Sequence, residues 1–188
     1  MRIVAGAYRG RTLVAPKGQS VRPTAERARQ ALFNVLEHAR WSPPVWSGAR
    51  VIDGFAGSGA LGLEAVSRGA PFCLLVDNDR AARAAIEANL AALGCGDRVR
   101  VLGQDLTRLG ARGGEAAFDL AFLDPPYGSG LAEGALAALK VGGWLAPAAL
   151  VVVERGDGEG ALEAPGFSKL DERRWGKARV TFLQVGAT

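Results

Sequence analysis

Hydrophobic and polar positions change rhythm several times along the chain, and each change marks an element. Small and β-branched residues cluster at Ile3-Val4-Ala5 and Thr12-Leu13-Val14 around Gly6 and Gly10, predicting a short hairpin that turns near Tyr8-Arg9-Gly10. Pro16 and Gly18 end it. A helix should start at Thr24, after Pro23, because a threonine there can accept from a free first-turn amide. Its apolar stripe, Ala28, Ala31, Leu32, Val35, Leu36 and Ala39, is spaced by threes and fours. That leaves Phe33 on the opposite face, beside Arg29 and Gln30, either to pack on another element or to stack on a base.

The stretch from Trp41 to Gly48, with Pro43-Pro44 inside it, breaks the helix and reads as a linker. From there strands and helices alternate. Strands are expected at Ala49–Asp53, Phe72–Asp77, Arg98–Leu102, Phe118–Leu123 and Ala149–Glu154. Helices are expected at Ala60–Arg68, at Arg80–Leu93 closed by Gly94, and at Leu131–Leu139. Near-continuous apolar strands between helices predict a mostly parallel sheet covered on both faces, an α/β fold. Ser168–Trp175 and Ala178–Val185 read as an antiparallel hairpin about Gly176-Lys177. The expected division is a basic extension over 1–40, a linker over 41–48 and a main domain over 49–188.

Composition narrows the class. The 188 residues are 48% hydrophobic and 22% charged, an ordinary globular balance that excludes a wholly disordered chain. No run approaches the ~20 apolar residues of a membrane span, and arginines stand where a signal peptide needs apolar residues. The expectation is a soluble, cytoplasmic protein. Two cysteines, Cys73 and Cys95, and one histidine, His38, suit neither a disulfide framework nor a His-ligated metal. Charge is uneven. Residues 1–50 hold nine Lys or Arg against Glu26 and Glu37, a net of +7, on a chain whose total is +4. A basic end on a slightly acidic body suggests an electrostatic footprint for a polyanion, with solubility alone as the plainer reading.

Two motifs carry chemistry. Val51-Ile52-Asp53-Gly54-Phe55-Ala56-Gly57-Ser58-Gly59-Ala60-Leu61-Gly62 places G-x-G-x-x-G between a predicted strand and helix. Its glycines allow a tight turn and close approach of a ligand to the helix N-terminus. Asp77 closes the next strand, 20 residues after Gly57, where a carboxylate can accept from ribose hydroxyls. Asp53 would repel a pyrophosphate but suits the ammonium and sulfonium of S-adenosyl-L-methionine; it could instead bind through water or cap the turn. The second motif is Asp124-Pro125-Pro126-Tyr127 after an apolar strand. Two prolines hold the chain stiff and extended, so Asp124 and the Pro125 carbonyl converge as acceptors beside the Tyr127 ring. Such a site suits the exocyclic amine of a nucleobase, with the ring stacked on the base; the plainer reading is a rigid loop after a strand. Asp53, Asp77, Asp105 and Asp124 thus share one sheet edge, and Asp105 is placed to take the adenine amino group. Magnesium on these four acids is the weaker alternative, since nothing cradles a triphosphate.

These features resemble the class I S-adenosylmethionine-dependent methyltransferases, and Asp124–Tyr127 is similar to the (D/N)PP(Y/F) motif of those that methylate amino groups. Arg2-Ile3-Val4-Ala5-Gly6, Arg9-Gly10-Arg11, Arg22-Pro23-Thr24, Arg27-Ala28-Arg29 and Leu32-Phe33-Asn34 resemble the N-terminal signature of the RsmD family. The likeness also covers Gly142-Gly143-Trp144-Leu145 and Trp175-Gly176-Lys177. It implies a Rossmann-like sheet and methyl transfer to guanine N2 in bacterial 16S ribosomal RNA, at the position conventionally called 966.

The likeness also implies roles. Asp53, Phe55, Gly57 and Gly59 would surround the methionine part of S-adenosyl-L-methionine, Asp77 its ribose and Asp105 its adenine. Asp124, Pro125 and Tyr127 would be catalytic, with no metal. Arg2, Arg9, Arg11, Arg22, Arg27 and Arg29 would face RNA, either 16S rRNA or an assembling small subunit, and a monomer suffices. A DNA adenine or cytosine amino-methyltransferase shares Asp124–Tyr127, but a basic extension of about 40 residues leaves little room for sequence recognition. A nicotinamide oxidoreductase leaves Asp124–Tyr127 unexplained, and a non-enzymatic RNA-binding module leaves both motifs unexplained.

Overall fold

The computed structural model describes residues 1–16, 23–41, 46 and 48–186, with residues 23–25 described by their backbone alone. Seven strands form one sheet: β1 (Arg50–Gly54), β2 (Phe72–Val76), β3 (Val99–Leu102), β4 (Phe118–Leu123), β5 (Leu145–Gly156), β6 (Phe167–Trp175) and β7 (Ala178–Val185). Their order is β3-β2-β1-β4-β5-β7-β6. The first five are parallel, and β7 runs antiparallel to both β5 and β6. The order reverses at β1, where the chain leaves for β2 on one side and later returns to β4 on the other. A ligand crevice opens at such a switch point, beyond the carboxyl ends of the strands.

Four helices cover the sheet: α1 (Pro23–His38), α2 (Ala60–Ser67), α3 (Arg80–Leu93) and α4 (Leu131–Val141). Alternation along each strand sends side chains to two cores. Val51, Leu75, Leu120, Phe122 and Val152 pack beneath α1, α2, α3 and the N-terminal hairpin. Ile52, Leu74, Ala121, Leu123, Val151 and Val153 pack beneath α4 and Trp144.

The N-terminal hairpin is built as expected, with Arg2 bridged to Thr12 and the Gly10 amide donating to the Ile3 carbonyl at 2.9 Å. It shares a core with the sheet through the buried side chains of Ile3 and Leu13. Backbone bonds complete the docking: the Ala7 amide donates to the Ser67 carbonyl, and Val4 and Ala5 donate to the Glu64 carboxylate at 2.8 and 2.9 Å. Gly6 is required there, because a Cβ would stand 1.9 Å from the Ser67 carbonyl oxygen.

Two expectations are corrected. Helix α1 begins at Pro23, one residue before Thr24, and its buried stripe is Arg29, Leu32, Phe33 and Leu36. Phe33 therefore packs inward. It stacks on Trp46 at 5.3 Å and lies 5.7 Å from Phe122, with the Arg68 guanidinium 4.6 Å above its ring. Burying such a ring stabilises by about 1.5–3 kcal/mol. Strand β5 also starts earlier than Ala149: Leu145 pairs with Phe118 and Leu150 with Leu120, with a bulge between and Ala148 at φ 59°. The linker's residues 42–45 and 47 lie outside the described residues, as does Arg22.

Candidate active site

The G-x-G-x-x-G segment is the turn from β1 into α2. Phe55, Gly57 and Gly59 all take positive φ, at 59°, 57° and 77°. For Phe55 that conformation is uncommon, and it re-aims the backbone directly after the strand. A Cβ built on Gly57 would meet nothing nearer than the Phe55 carbonyl oxygen at 4.0 Å, so open space lies above the turn. Asp77, just past β2, accepts the Gly57 amide at 2.8 Å through one oxygen and the Asp79 amide through the other.

Asp53 is buried, and one of its oxygens accepts the Gly62 amide at 2.8 Å. It therefore caps the start of α2. Burial pushes its carboxyl up to about 8, against the pull of that hydrogen bond and with help from the negative Asp77. Among the described residues Asp53 has no cationic partner, so a ligand's positive end beside it would restore its charge cheaply. Open space over Gly57, the Asp77 acceptor and the unpaired Asp53 together fit S-adenosylmethionine.

Asp105 caps the short 3-10 turn Leu106–Arg108, with one oxygen accepting from the Thr107 amide and hydroxyl at 2.9 and 2.7 Å. Those bonds hold its carboxyl below the usual range. Asp53, Asp77 and Asp105 are thus each engaged by separate protein donors. Among the described residues no three His, Cys, Asp or Glu side chains form a metal-binding group.

Asp124, the first residue past β4, is exposed to solvent, with protein atoms gathered about its carboxyl. That crowding, then the negative charges of Glu154 and Asp53, pushes its carboxyl well above the ordinary range. Among the described residues no protein donor reaches it. Pro125 behind it is buried. Tyr127 is 53% exposed, and its hydroxyl donates to Glu154 Oε1 at 2.7 Å. Glu159 ties the loop down, one oxygen accepting the amides of Gly128 at 3.0 Å and Gly156 at 2.8 Å.

Glu154 and Glu159 were missed by sequence reasoning. Glu154 ends the Val151-Val152-Val153 run, just as Asp53 and Asp124 end theirs, so the rule that found those acids covers it too. Glu159 sits in a loop with no such signal.

The basic side chains divide. Arg2, Arg9, Arg11 and Arg27 are exposed, and Arg2 and Arg27 line a depression with Val4, Glu26 and Gln30. Arg11 donates to the Ala92 carbonyl at 2.5 Å and Arg2 pairs with Glu26 at 3.4 Å. Arg29 departs from the expectation of an RNA contact. It is 5% exposed, bonded to the Arg2 carbonyl and 3.7 Å from Glu64, so it fastens the hairpin to α1.

Comparison with known proteins agrees with this geometry. The family described as conserved hypothetical protein 95 matches residues 1–184. Ribosomal RNA small subunit methyltransferase D of Escherichia coli K12 is 41% identical over 154 residues, covering 82% of this chain and 74% of that protein. Its namesake in Haemophilus influenzae is 35% identical over 178 residues, covering 94% and 89%. The solved structure of yhhF from Escherichia coli superposes with a TM-score of 0.84 at 36% identity, over 100% of this chain and 99% of that one. The chain belongs to the RsmD family of methyltransferases and has their class I, Rossmann-like fold.

Proposed function

We propose that the protein transfers a methyl group from S-adenosyl-L-methionine to the exocyclic N2 of one guanine in 16S ribosomal RNA, at the position called 966. The observation that carries this reading is the open Asp124, unclaimed by any described protein donor, at the strand end next to the glycine turn. The curated relatives named as small-subunit RNA methyltransferases support the RNA substrate. No described helix is long and apolar enough to cross a membrane, and the proposed setting is the cytoplasm. The protein acts there as a monomer on naked rRNA or an assembling subunit.

Bound S-adenosylmethionine supplies a methyl group on a sulfonium, with a neutral thioether as leaving group. The chain's part is to shape the nucleophile. The lone pair of guanine N2 is delocalised into the ring, so the amine is weak. Asp124 and the Pro125 carbonyl accept its N–H groups, favour the pyramidal form and stabilise the positive charge that develops in attack. Tyr127 fixes the base plane. Transfer is direct and in line, and the proton shed by N2 passes to Asp124. Holding nitrogen and methyl carbon in line accounts for the rest of the acceleration.

The test is transfer of labelled methyl to total RNA, small-subunit particles and DNA, followed by nucleoside analysis. The expected product is N2-methylguanosine from small-subunit RNA. Label in DNA as a methylated amino base would overturn the RNA reading while keeping the role of Asp124.

A further inference from the structure

Glu154 lies beside the proposed base site and has no assigned role. The register of β4 and β5 pairs Leu123 with Val153, so the next residues, Asp124 and Glu154, stand side by side on neighbouring strands. Adjacent strands run about 4.8 Å apart. Alternation puts both side chains on the face that carries Phe122 and Val152, the same face as Asp53. Among the described residues neither Asp124 nor Glu154 forms an ion pair. Two adjacent carboxylates without a cation are costly to keep ionised, unless a ligand answers them with two donors.

The bases differ at this point. The Watson–Crick edge of guanine carries N1–H next to N2–H2, two neighbouring donors. Adenine and cytosine each present one amino donor next to a ring nitrogen that is an acceptor. A second carboxylate would set lone pair against lone pair there.

We propose that Glu154 is a specificity-determining residue, which with Asp124 forms a paired acceptor edge reading N2–H and N1–H of the target guanine. Its Oε1 meanwhile holds the Tyr127 hydroxyl, leaving Oε2 for the base. The Tyr127 ring is backed by Gly156, where a Cβ would lie 3.5 Å from ring carbons, so one glutamate sets both the plane and the edge of the bound base. This assignment rests on the guanine N2 reading above.

The test compares guanosine with 2-aminopurine at the target position of a synthetic RNA hairpin. 2-Aminopurine keeps the amine but replaces N1–H by an acceptor nitrogen. The wild-type protein should prefer guanosine by about tenfold or more in kcat/KM, the cost of leaving a buried acceptor unanswered. Glu154→Gln keeps an oxygen for Tyr127 and can turn an amide N–H2 towards the base. It should bring the ratio close to one, with loss on guanosine and gain on 2-aminopurine. The ratio is internal to each protein preparation, so a reduced folded fraction does not move it. An unchanged ratio in Glu154→Gln would overturn the proposal, because a residue that only anchors Tyr127 lowers transfer to both bases alike. Absence of wild-type transfer to guanine N2 in any RNA would instead overturn the underlying reading, and the proposal with it.

Discussion

The Gly57 amide donates to Asp77 Oδ2 at 2.8 Å, so the carboxylate that ends β2 holds the shape of the glycine turn that follows β1. Asp77 braces the turn, and in the proposed cofactor site it would also present oxygen to the ribose. Asp77→Asn cannot accept from both Gly57 and Asp79 while still facing hydroxyls. Cofactor affinity should fall about ten- to a hundredfold, the loss of a hydrogen bond to a charged group. Titration calorimetry with S-adenosylmethionine checks this, and unchanged affinity would remove Asp77 from the cofactor site.

Asp124→Ala should lower kcat by far more than it weakens cofactor binding, if its oxygens face the substrate amine as proposed. A drop of about a hundredfold or more is expected from losing a preorganised acceptor. Equal losses in turnover and in cofactor affinity would count against the assignment.

Activity should rise with pH. Protonated Asp124 cannot accept from the amine, and its carboxyl is pushed well above the usual range by crowding and by Glu154 and Asp53. Glu154 is itself pushed up by burial, with the Tyr127 hydroxyl acting against that. The acid limb of the kcat profile should therefore lie above the ordinary carboxylate region. It should move to lower pH in Glu154→Gln, which removes a like charge.

Asp53 gives a second pH dependence, of stability. Its carboxyl is pushed up to about 8 in the folded chain, against about 3.9 when unfolded. The folded chain therefore holds a proton that the unfolded chain releases. The cofactor-free protein should lose stability as pH rises through that window, by up to about 1.4 kcal/mol per pH unit. Asp53→Asn keeps an acceptor for the Gly62 amide and should flatten the curve, while weakening cofactor binding. Urea melts from pH 5 to 9 decide it; parallel curves would sink the argument.

Glu64→Ala should destabilise by about 3–5 kcal/mol, because it leaves buried partners uncompensated. Glu64 is fully buried, and it receives the Val4 and Ala5 amides and the Arg68 guanidinium at 2.9 Å. Thermal unfolding measures the loss. The surface arginines should behave differently: Arg9→Ala or Arg27→Ala should reduce the salt dependence of RNA binding, by a log–log slope of about 0.7–0.9 for each phosphate that is no longer neutralised. Arg29→Ala should act on stability instead.

Much of the molecule is legible in its sequence, for reasons that differ by element. Helix α3 is bounded to the residue because Asp79 and Gly94 cap it and alanine fills it. The Gly176-Lys177 turn and the β4 limits are equally plain, since turn residues and apolar runs are local signals. The face of α1 is not. Arginine at position 29 reads as surface until Glu64, from another helix, supplies a buried partner. The face of Phe33 misleads for the same reason, since its ring partners Trp46 and Phe122 lie outside its helix, although its packing on another element is as expected. In the site, strand-end acids can be found by position, but the meeting of Tyr127 with Glu154 depends on β4–β5 register, which no local pattern carries.

The place of β7 between β5 and β6 has a consequence for how the chain matures. Strand β6 is synthesised before β7 yet hydrogen-bonds to the sheet only through it. Until residues 178–185 emerge, β5 presents a bare hydrogen-bonding edge flanking Val151–Val153, and β6 has nowhere to dock. A nascent chain stalled in that interval carries an open apolar strand, the kind of edge that recruits stray strands. Closure of the sheet thus waits on residues 178–185, whose pairing also sets the Glu154 end of β5 against Val180.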